Sequence, residues 1–422
     1  MDNIDYDQLL TCCGEIGLRL LDSGAETYRV EDTVRRLLAA YGAEGNVFAI
    51  PTCLIVSVTD PEEKGHTWMR RLDTVKGADI EAIEQYNALS RSVCANRPAL
   101  SELPALTEAA AAGCRQYQPA VIMLGYCICG AFFALFFQGG LAEALVAAAA
   151  CLFTGLFVIW LDRLKVNFFF RTASAAVVLG AVIYAFRAAG VPVDTGVADI
   201  GALMVLVPGM IFTNFMCDLI TGDSLSGTST FIRAVLTAAA IALGVGLSLT
   251  VFQLLGLPTD GYSVNMDYSP AMQCVLAAIA CLGCCIMYNS HGGGTPLCCL
   301  GSALGWAVYL AGGLLVESIY LRYLIASIVV SIYSEILARW RKYPTTGYRV
   351  VSFFPLVPGA RIYYAMYYAI QGEGALFLEA AIQALGMAAC LALGTLLVTT
   401  VVHTYGNWKS GSAKPQNSQK IP

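Results

Sequence analysis

The hydrophobic pattern changes character near residue 118. Before it, apolar residues recur at helix or strand spacing among many charges; after it, they run in long blocks. In residues 1–22, Leu9, Leu10, Cys13, Ile16, Gly17 and Leu20 fall on one face at spacings of three and four, which predicts a helix. A second helix is expected up to Tyr41, with Val30, Val34, Leu37 and Leu38 as its apolar face and Gly42 as its stop. Residues 46–59 are rich in β-branched side chains and predict a pair of short strands or one bent strand, with 66–72 as a hairpin partner. Helices are expected over 80–93 and 102–114. The front piece therefore reads as a small α/β unit.

From residue 120 the apolar blocks are 120–137, 141–161, 167–187, 196–220 and 228–256, then, after a polar linker, 270–288, 296–316, 318–338, 348–371 and 375–402. Each has about the length a helix needs to cross a hydrocarbon core of roughly 30 Å. The expected fold is a mostly α membrane protein, with ten transmembrane helices following a small cytoplasmic α/β domain. The expected parts are 1–117 (cytoplasmic domain), 118–257 (first five-helix repeat), 258–269 (external linker), 270–403 (second repeat) and 404–422 (cytoplasmic tail).

One motif occurs twice. Leu206-Val-Pro-Gly209 and Leu356-Val-Pro-Gly359 both interrupt apolar blocks, and the blocks end in Gly222-Asp223 and Gly372-Glu373 at a constant offset of 150. Five crossings per half is an odd number, so equivalent segments cross in opposite directions and the repeats are inverted. Interrupted segments at matching positions in two halves point to a transport site near the midplane. Pro208 is expected to free the carbonyl of Met204, Pro358 that of Phe354 and Pro355 that of Val351. A plain proline kink is the competing reading.

Composition supports a membrane protein. Apolar residues make up 57% and charged residues 13%, against about 25% charged in soluble domains. The net charge of −5 argues against nucleic acid or another polyanion as partner. The first thirty residues show no basic segment followed by an apolar run, so the front piece is expected to stay in the cytoplasm. With ten crossings, Arg115, Arg163, Lys165, Arg339, Arg341, Lys342, Lys409, Lys414 and Lys420 fall on one side, while the other has only Arg187 and Arg322 near it, with Asp194, Asp260 and Asp267. Both termini are then expected in the cytoplasm. No ATP-binding loop is present, which favours a secondary transporter.

Candidate transport residues are Pro208, Gly209, Asn214, Pro358, Gly359, Arg361 and Tyr364. A mid-span arginine costs at least about 2.5–3.5 kcal/mol unless paired or hydrated, and its planar fork suits a carboxylate. Arg361 therefore reads as a substrate ligand, or as the structural partner of Asp218 or Glu335. Those two carboxylates are the candidate proton carriers. In the front piece, Ser23, Gly24, Glu26, Thr27 and Arg29 form a polar strip. Ser23 and Glu26 have capping-box spacing, Asp32 and Arg36 that of an i,i+4 ion pair, and the absence of a nearby histidine makes a hydrolase reading weak. The 16 cysteines suggest no disulfide framework. Cys281, Cys284, Cys285, Cys298 and Cys299 with His291 resemble metal spacing but read better as small packing residues. No cofactor or metal is expected. Asn289-Ser-His-Gly292 reads as a tight helix connection.

Leu20-Leu-Asp-Ser-Gly-Ala-Glu-Thr-Tyr-Arg-Val-Glu-Asp32, with Tyr41-Gly42, resembles the N-terminal signature of the threonine/serine exporter family. The order of a soluble domain followed by ten spans matches as well, over about residues 8–402. The resemblance implies export of small hydroxy amino acids driven by the proton motive force, with substrate, protons and the lipid bilayer as partners and self-association compatible with it. Some split members of the family are associated with dicarboxylate export, which is the alternative. A membrane-anchored enzyme or sensor is a third reading, disfavoured because ten spans exceed what an anchor needs.

Overall fold

The computed structural model describes residues 5–72, 78–207, 209–259, 266–341 and 343–411. Pro208, Asp260, Lys342, Lys414 and Lys420, named above, lie outside the described residues, as does half of the 258–269 linker.

The front unit contains α1 (Tyr6–Asp22), α2 (Thr27–Ala40), β1 (Gly45–Ile50), β2 (Cys53–Thr59), β3 (Gly65–Arg71), α3 (Ile80–Asn96) and α4 (Leu103–Gly113). The strands form one antiparallel sheet in the order β1-β2-β3, so the stretch expected to be either two strands or one is two. Leu9, Ile16, Val30, Val34, Leu37, Leu54 and Val56 close its core.

α1 ends for a reason that replaces the expected capping box. Gly24 is left-handed at φ 80°, Ala25 N donates to the Leu20 carbonyl and Gly24 N to the Leu21 carbonyl. That is a Schellman ending. Ser23 closes α1 by donating its hydroxyl to the Arg19 carbonyl at 2.7 Å, and the Glu26 side chain makes no cap to α2. Asp32 and Arg36 do form the expected pair, at 2.9 Å.

The rest is helical. Eight helices are long and apolar enough to cross a membrane, among the described residues: α5 (Pro119–Phe136), α6 (Leu141–Arg163), α7 (Phe168–Ala188), α10 (Ser224–Leu254), α11 (Pro270–Met287), α12 (Gly294–Gly312), α13 (Ile319–Arg341) and α16 (Gly374–Gly411, apolar to Val402). The two blocks that carry the Pro-Gly pairs are broken into shorter pieces: α8 (Thr195–Leu203) with α9 (Gly209–Thr221), and α14 (Thr345–Ser352) with α15 (Gly359–Ile370), the latter joined through a 3-10 turn at Phe354–Leu356.

The two halves repeat in detail. At both breaks the last helical residue's carbonyl takes two amides: Leu206 N and Val207 N donate to the Leu203 carbonyl, and Leu356 N and Val357 N to the Phe353 carbonyl. Both broken segments end on a left-handed glycine, Gly222 at φ 92° and Gly372 at φ 75°. Neighbours match as well. α5 packs on α6, α6 on α7, α7 on α10 and α9 on α10; α11 packs on α12, α12 on α13, α13 on α16 and α15 on α16. Across the halves the relation is reciprocal, α10 with α15 and α9 with α16.

The halves meet along α5 and α11 with little between them. A Cβ on Gly283 would lie 2.6 Å from Cys129 N, and one on Gly125 would lie 2.8 Å from Ile286. Small residues permit this approach, as is usual where helices pack in lipid. The cysteines act here as small packing groups and thiol donors: Cys129 and Cys284 touch at 3.6 Å, and the Cys281 thiol donates to the Val351 carbonyl at 3.5 Å. Pro355 does release Val351 from its helix, then, but a thiol takes the carbonyl up. The Phe354 carbonyl is not free either, since Val357 N reaches it at 3.2 Å.

Candidate functional site

The two breaks touch. A Cβ on Gly359 would fall 2.5 Å from the Met204 sulfur and 3.8 Å from Val207, so the start of α15 lies directly on the first break. A larger residue there would force the Met204 side chain to move. Pro358 caps α15 and sits at the centre of a three-residue turn, with Gly359 N donating to the Val357 carbonyl at 2.7 Å. Gly209 opens α9 at the matching place.

On the side of the breaks nearer the front unit, a polar cluster closes the segment pair. Arg349, on α14, is buried and hydrogen-bonded to the carboxylate of Glu26, which comes from the loop before α2. Arg349 and Glu26 are 8% and 11% exposed, so this is a desolvated pair. Asn214 and Cys217 of α9, with Phe353, Val357 and Thr395, line a small cavity against that pair. Next to it, the Thr27 and Ser226 hydroxyls meet at 3.3 Å, and Ser226 donates to Asp218 at 3.1 Å. The signature strip of the front unit is therefore not a surface feature. Its Glu26 reaches Arg349 of a broken segment and its Thr27 reaches Ser226 at the start of α10, Ser23 and Gly24 form the turn that carries them, and Arg29 is half-buried one turn further on.

The turn is anchored by a second set of bonds. Asp79 N donates to the Ser23 carbonyl, Asn289 Nδ2 donates to Asp79 Oδ1 at 2.9 Å and to the Arg115 carbonyl at 2.8 Å, and the Tyr117 hydroxyl donates to the Ser290 carbonyl. Ile80 N adds a bond to the Tyr288 carbonyl. The Asn289–Gly292 connection is thus the dock of the front unit, with His291 stacked on Tyr117 at 4.0 Å.

On the other side of the breaks lies Asp199 of α8, 1% exposed. Its Oδ2 accepts from the Tyr184 hydroxyl at 3.1 Å, and its Oδ1 has no hydrogen-bond partner among the described residues. Tyr184, Tyr363 and Tyr367 line a cavity with Leu203, Ile241 and Met366. Asp199 and Arg349 are the same position in the two halves, each nine residues before its proline.

Several expected roles change. Arg361 is half-buried beside Tyr323 and Tyr364 and pairs with neither Asp218 nor Glu335. Glu335 is held by Thr345 at 3.2 Å and Arg339 at 4.0 Å, at the front-unit end of the bundle. Tyr364 is exposed, whereas Tyr363 turns inward. Arg349, Asp199 and Tyr184 were missed by the sequence reading. The signal was there: each charge stands in an apolar block at the motif's own offset, and ionisable groups in such blocks mark function.

Comparisons with known proteins identify the family. Residues 11–252, more than half of the chain, match the family described as "Putative threonine/serine exporter", and residues 273–401 match "Threonine/Serine exporter, ThrE". A threonine/serine exporter of Corynebacterium glutamicum is 24% identical over 426 residues, covering 94% of this chain and 83% of that protein. No solved structure matches the chain. More than half of the chain is matched by the first of these families alone, and the chain belongs to the threonine/serine exporter family.

Proposed function

We propose that the chain is a secondary active exporter of threonine- and serine-like amino acids, exchanging them for protons across a bacterial cytoplasmic membrane. Both termini lie in the cytoplasm. The bilayer is crossed ten times, by the eight continuous helices and the two broken segments, in two inverted repeats. The matched hydrogen bonds at the breaks and the reciprocal packing between halves support the repeat, and an odd number of crossings per half supports its inversion.

The observation that carries the substrate reading is the buried Glu26–Arg349 pair beside Asn214. A guanidinium binds a carboxylate bidentately, and a carboxylate binds an ammonium. An amino-acid zwitterion offers both complements, so it can part the pair and leave each charge neutralised. A dicarboxylate offers nothing for Glu26 and is repelled by it. The geometry therefore favours the amino acid over succinate-type substrates. Asn214 supplies an amide for the side-chain hydroxyl. Pro358, Gly359 and Gly209 shape the breaks, and Arg361 and Tyr364 lie outside this pocket. Because the front unit supplies Glu26, it forms the cytoplasmic wall of the site, which makes it part of a transporter and not an enzyme.

Proteoliposomes of the full chain, loaded with labelled threonine, serine or succinate and given a pH gradient, test this. Threonine and serine should leave and succinate should stay. Succinate flux without threonine flux would overturn the substrate reading. Arg349→Lys should weaken threonine efflux at least tenfold, because an ammonium lacks the planar fork.

A further inference from the structure

Resting on that reading, the geometry points to Asp199 as the group that takes up and releases the exchanged proton, in a site it shares with Tyr184 and Tyr363. Asp199 is deeply buried, yet one of its two oxygens has no donor among the described residues. Buried polar atoms are almost always bonded, and an exception calls for an explanation. A carboxylate with a single neutral donor is poorly compensated in an apolar surround, and a proton on Oδ1 removes the charge.

The groups that face Asp199 do not compete for this role. From α7, Tyr184 donates to Oδ2. From α15, Tyr363 lies within electrostatic reach. From α6, Glu143 is already committed, accepting from Gly140 N and Asp194 N at 2.8 Å each, while the Cys151 thiol donates to the Ala202 carbonyl. Asp194, at the start of α8 itself, accepts from Val197 N. α5 meets α8 with Ala134 against Gly201, and its titratable groups are Tyr126, Cys127 and Cys129. No salt bridge links a cation to Asp199 among the described residues.

Asp218 and Glu335 are less suited. Asp218 is half-buried and accepts from Ser226, and Glu335 is bonded to Thr345 and Arg339. Asp199 also lies across the breaks from Arg349. The two charges thus flank the contact between the segments, one on each side. The step is simple and balanced. A proton from water on the far side forms an O–H bond at Oδ1, and the same bond breaks to water on the near side once the segments have shifted. Nothing is oxidised or reduced.

The test uses a hydrophobic carbodiimide, which modifies protonated carboxyl groups in apolar surroundings. The full chain in lipid nanodiscs is treated at pH about 8 and about 6, between which an ordinary aspartate stays ionised, and the adduct is read by peptide mass spectrometry. Asp199 should be modified several-fold more at the lower pH. No adduct on Asp199, or equal modification at both pH values, overturns the inference. In proteoliposomes, Asp199→Asn should lose pH-gradient drive, with threonine counterflow that no longer varies with pH, and Asp199→Glu should restore part of the drive. Wild-type gradient drive in Asp199→Asn also overturns it. If the wild-type protein moves no threonine, the export reading fails instead, and the carbodiimide result still decides the proton site.

Discussion

The broken segment α8–α9 and its counterpart α14–α15 share a backbone and differ in charge. The same amides bond the same carbonyls at both breaks, and both segments end on left-handed glycines. Yet Asp199 stands where the other copy has Arg349. Their partners differ in origin. Arg349 is answered by Glu26 from outside the helical bundle, whereas Asp199 is answered by Tyr184 from the preceding helix. A duplicated scaffold has thus been given opposite chemistry in its two copies. The shared part is what a break in a membrane helix requires, and the divergent part is what the proposed exchange of an amino acid for a proton requires.

The comparison can be broken most forcefully at the charged pair. Glu26→Gln or Arg349→Met leaves one buried charge without its complement, which costs on the order of 3–5 kcal/mol. Thermal unfolding in detergent should show a large fall for either single variant and a smaller one for the double variant, with threonine efflux absent in all three. Equal stability of the single variants and the wild type would mean that the pair is hydrated and not a desolvated anchor.

The contact between the copies comes next. Gly359→Ala drives a methyl group into Met204, and overpacking of this kind costs about 1–3 kcal/mol. Efflux should fall with it, and Met204→Ala in the same chain should relieve part of the loss. Absence of relief would place the two breaks apart.

The shared backbone gives a finer test. Gly222→Ala and Gly372→Ala each put a Cβ at a left-handed turn, at about 1 kcal/mol apiece. Neither glycine has another atom within reach of that Cβ. Nearly equal shifts in melting temperature are therefore expected, and a clear inequality would weaken the likeness of the halves.

The smallest effect concerns the front unit. Burial first, and then Glu81, push the Glu84 carboxyl up to about 7, against a downward pull from Arg341. A raised acid stabilises the fold in its protonated form. Its contribution is complete below about 4.3, the ordinary value, and is lost as pH rises through about 7. Protection of the α3 amides, taken relative to their intrinsic exchange at each pH, should fall between mildly acidic and mildly alkaline pH, and Glu84→Gln should flatten that dependence.

Much of the molecule was legible in the chain because its signals are local. Strand β-branching, helical spacing and apolar block length each depend on near neighbours, and the elements fall close to their expected limits. The duplicated Leu-Val-Pro-Gly gave the centre of the broken segments for the same reason. What escaped was set by distance. Ser23 and Glu26 have a capping-box spacing, but Arg349, 323 residues further on, claims the Glu26 carboxylate. Arg361 drew notice because it follows the motif, yet helical geometry turns it toward Tyr323 and turns Tyr363 the other way. Asp199 and Arg349 were readable in principle, since the offset that pairs the prolines pairs them too.

The seam between α5 and α11 has a mechanical consequence. With Gly125 and Gly283 at the crossing, backbone lies against backbone and no layer of long side chains is available to slide. Such a joint resists translation but allows tilting. A tilt about it displaces distant helices more than near ones, as on a balance beam. α5 packs on α8 and α11 on α14, so a rotation at the glycine fulcrum would be felt at the broken segments.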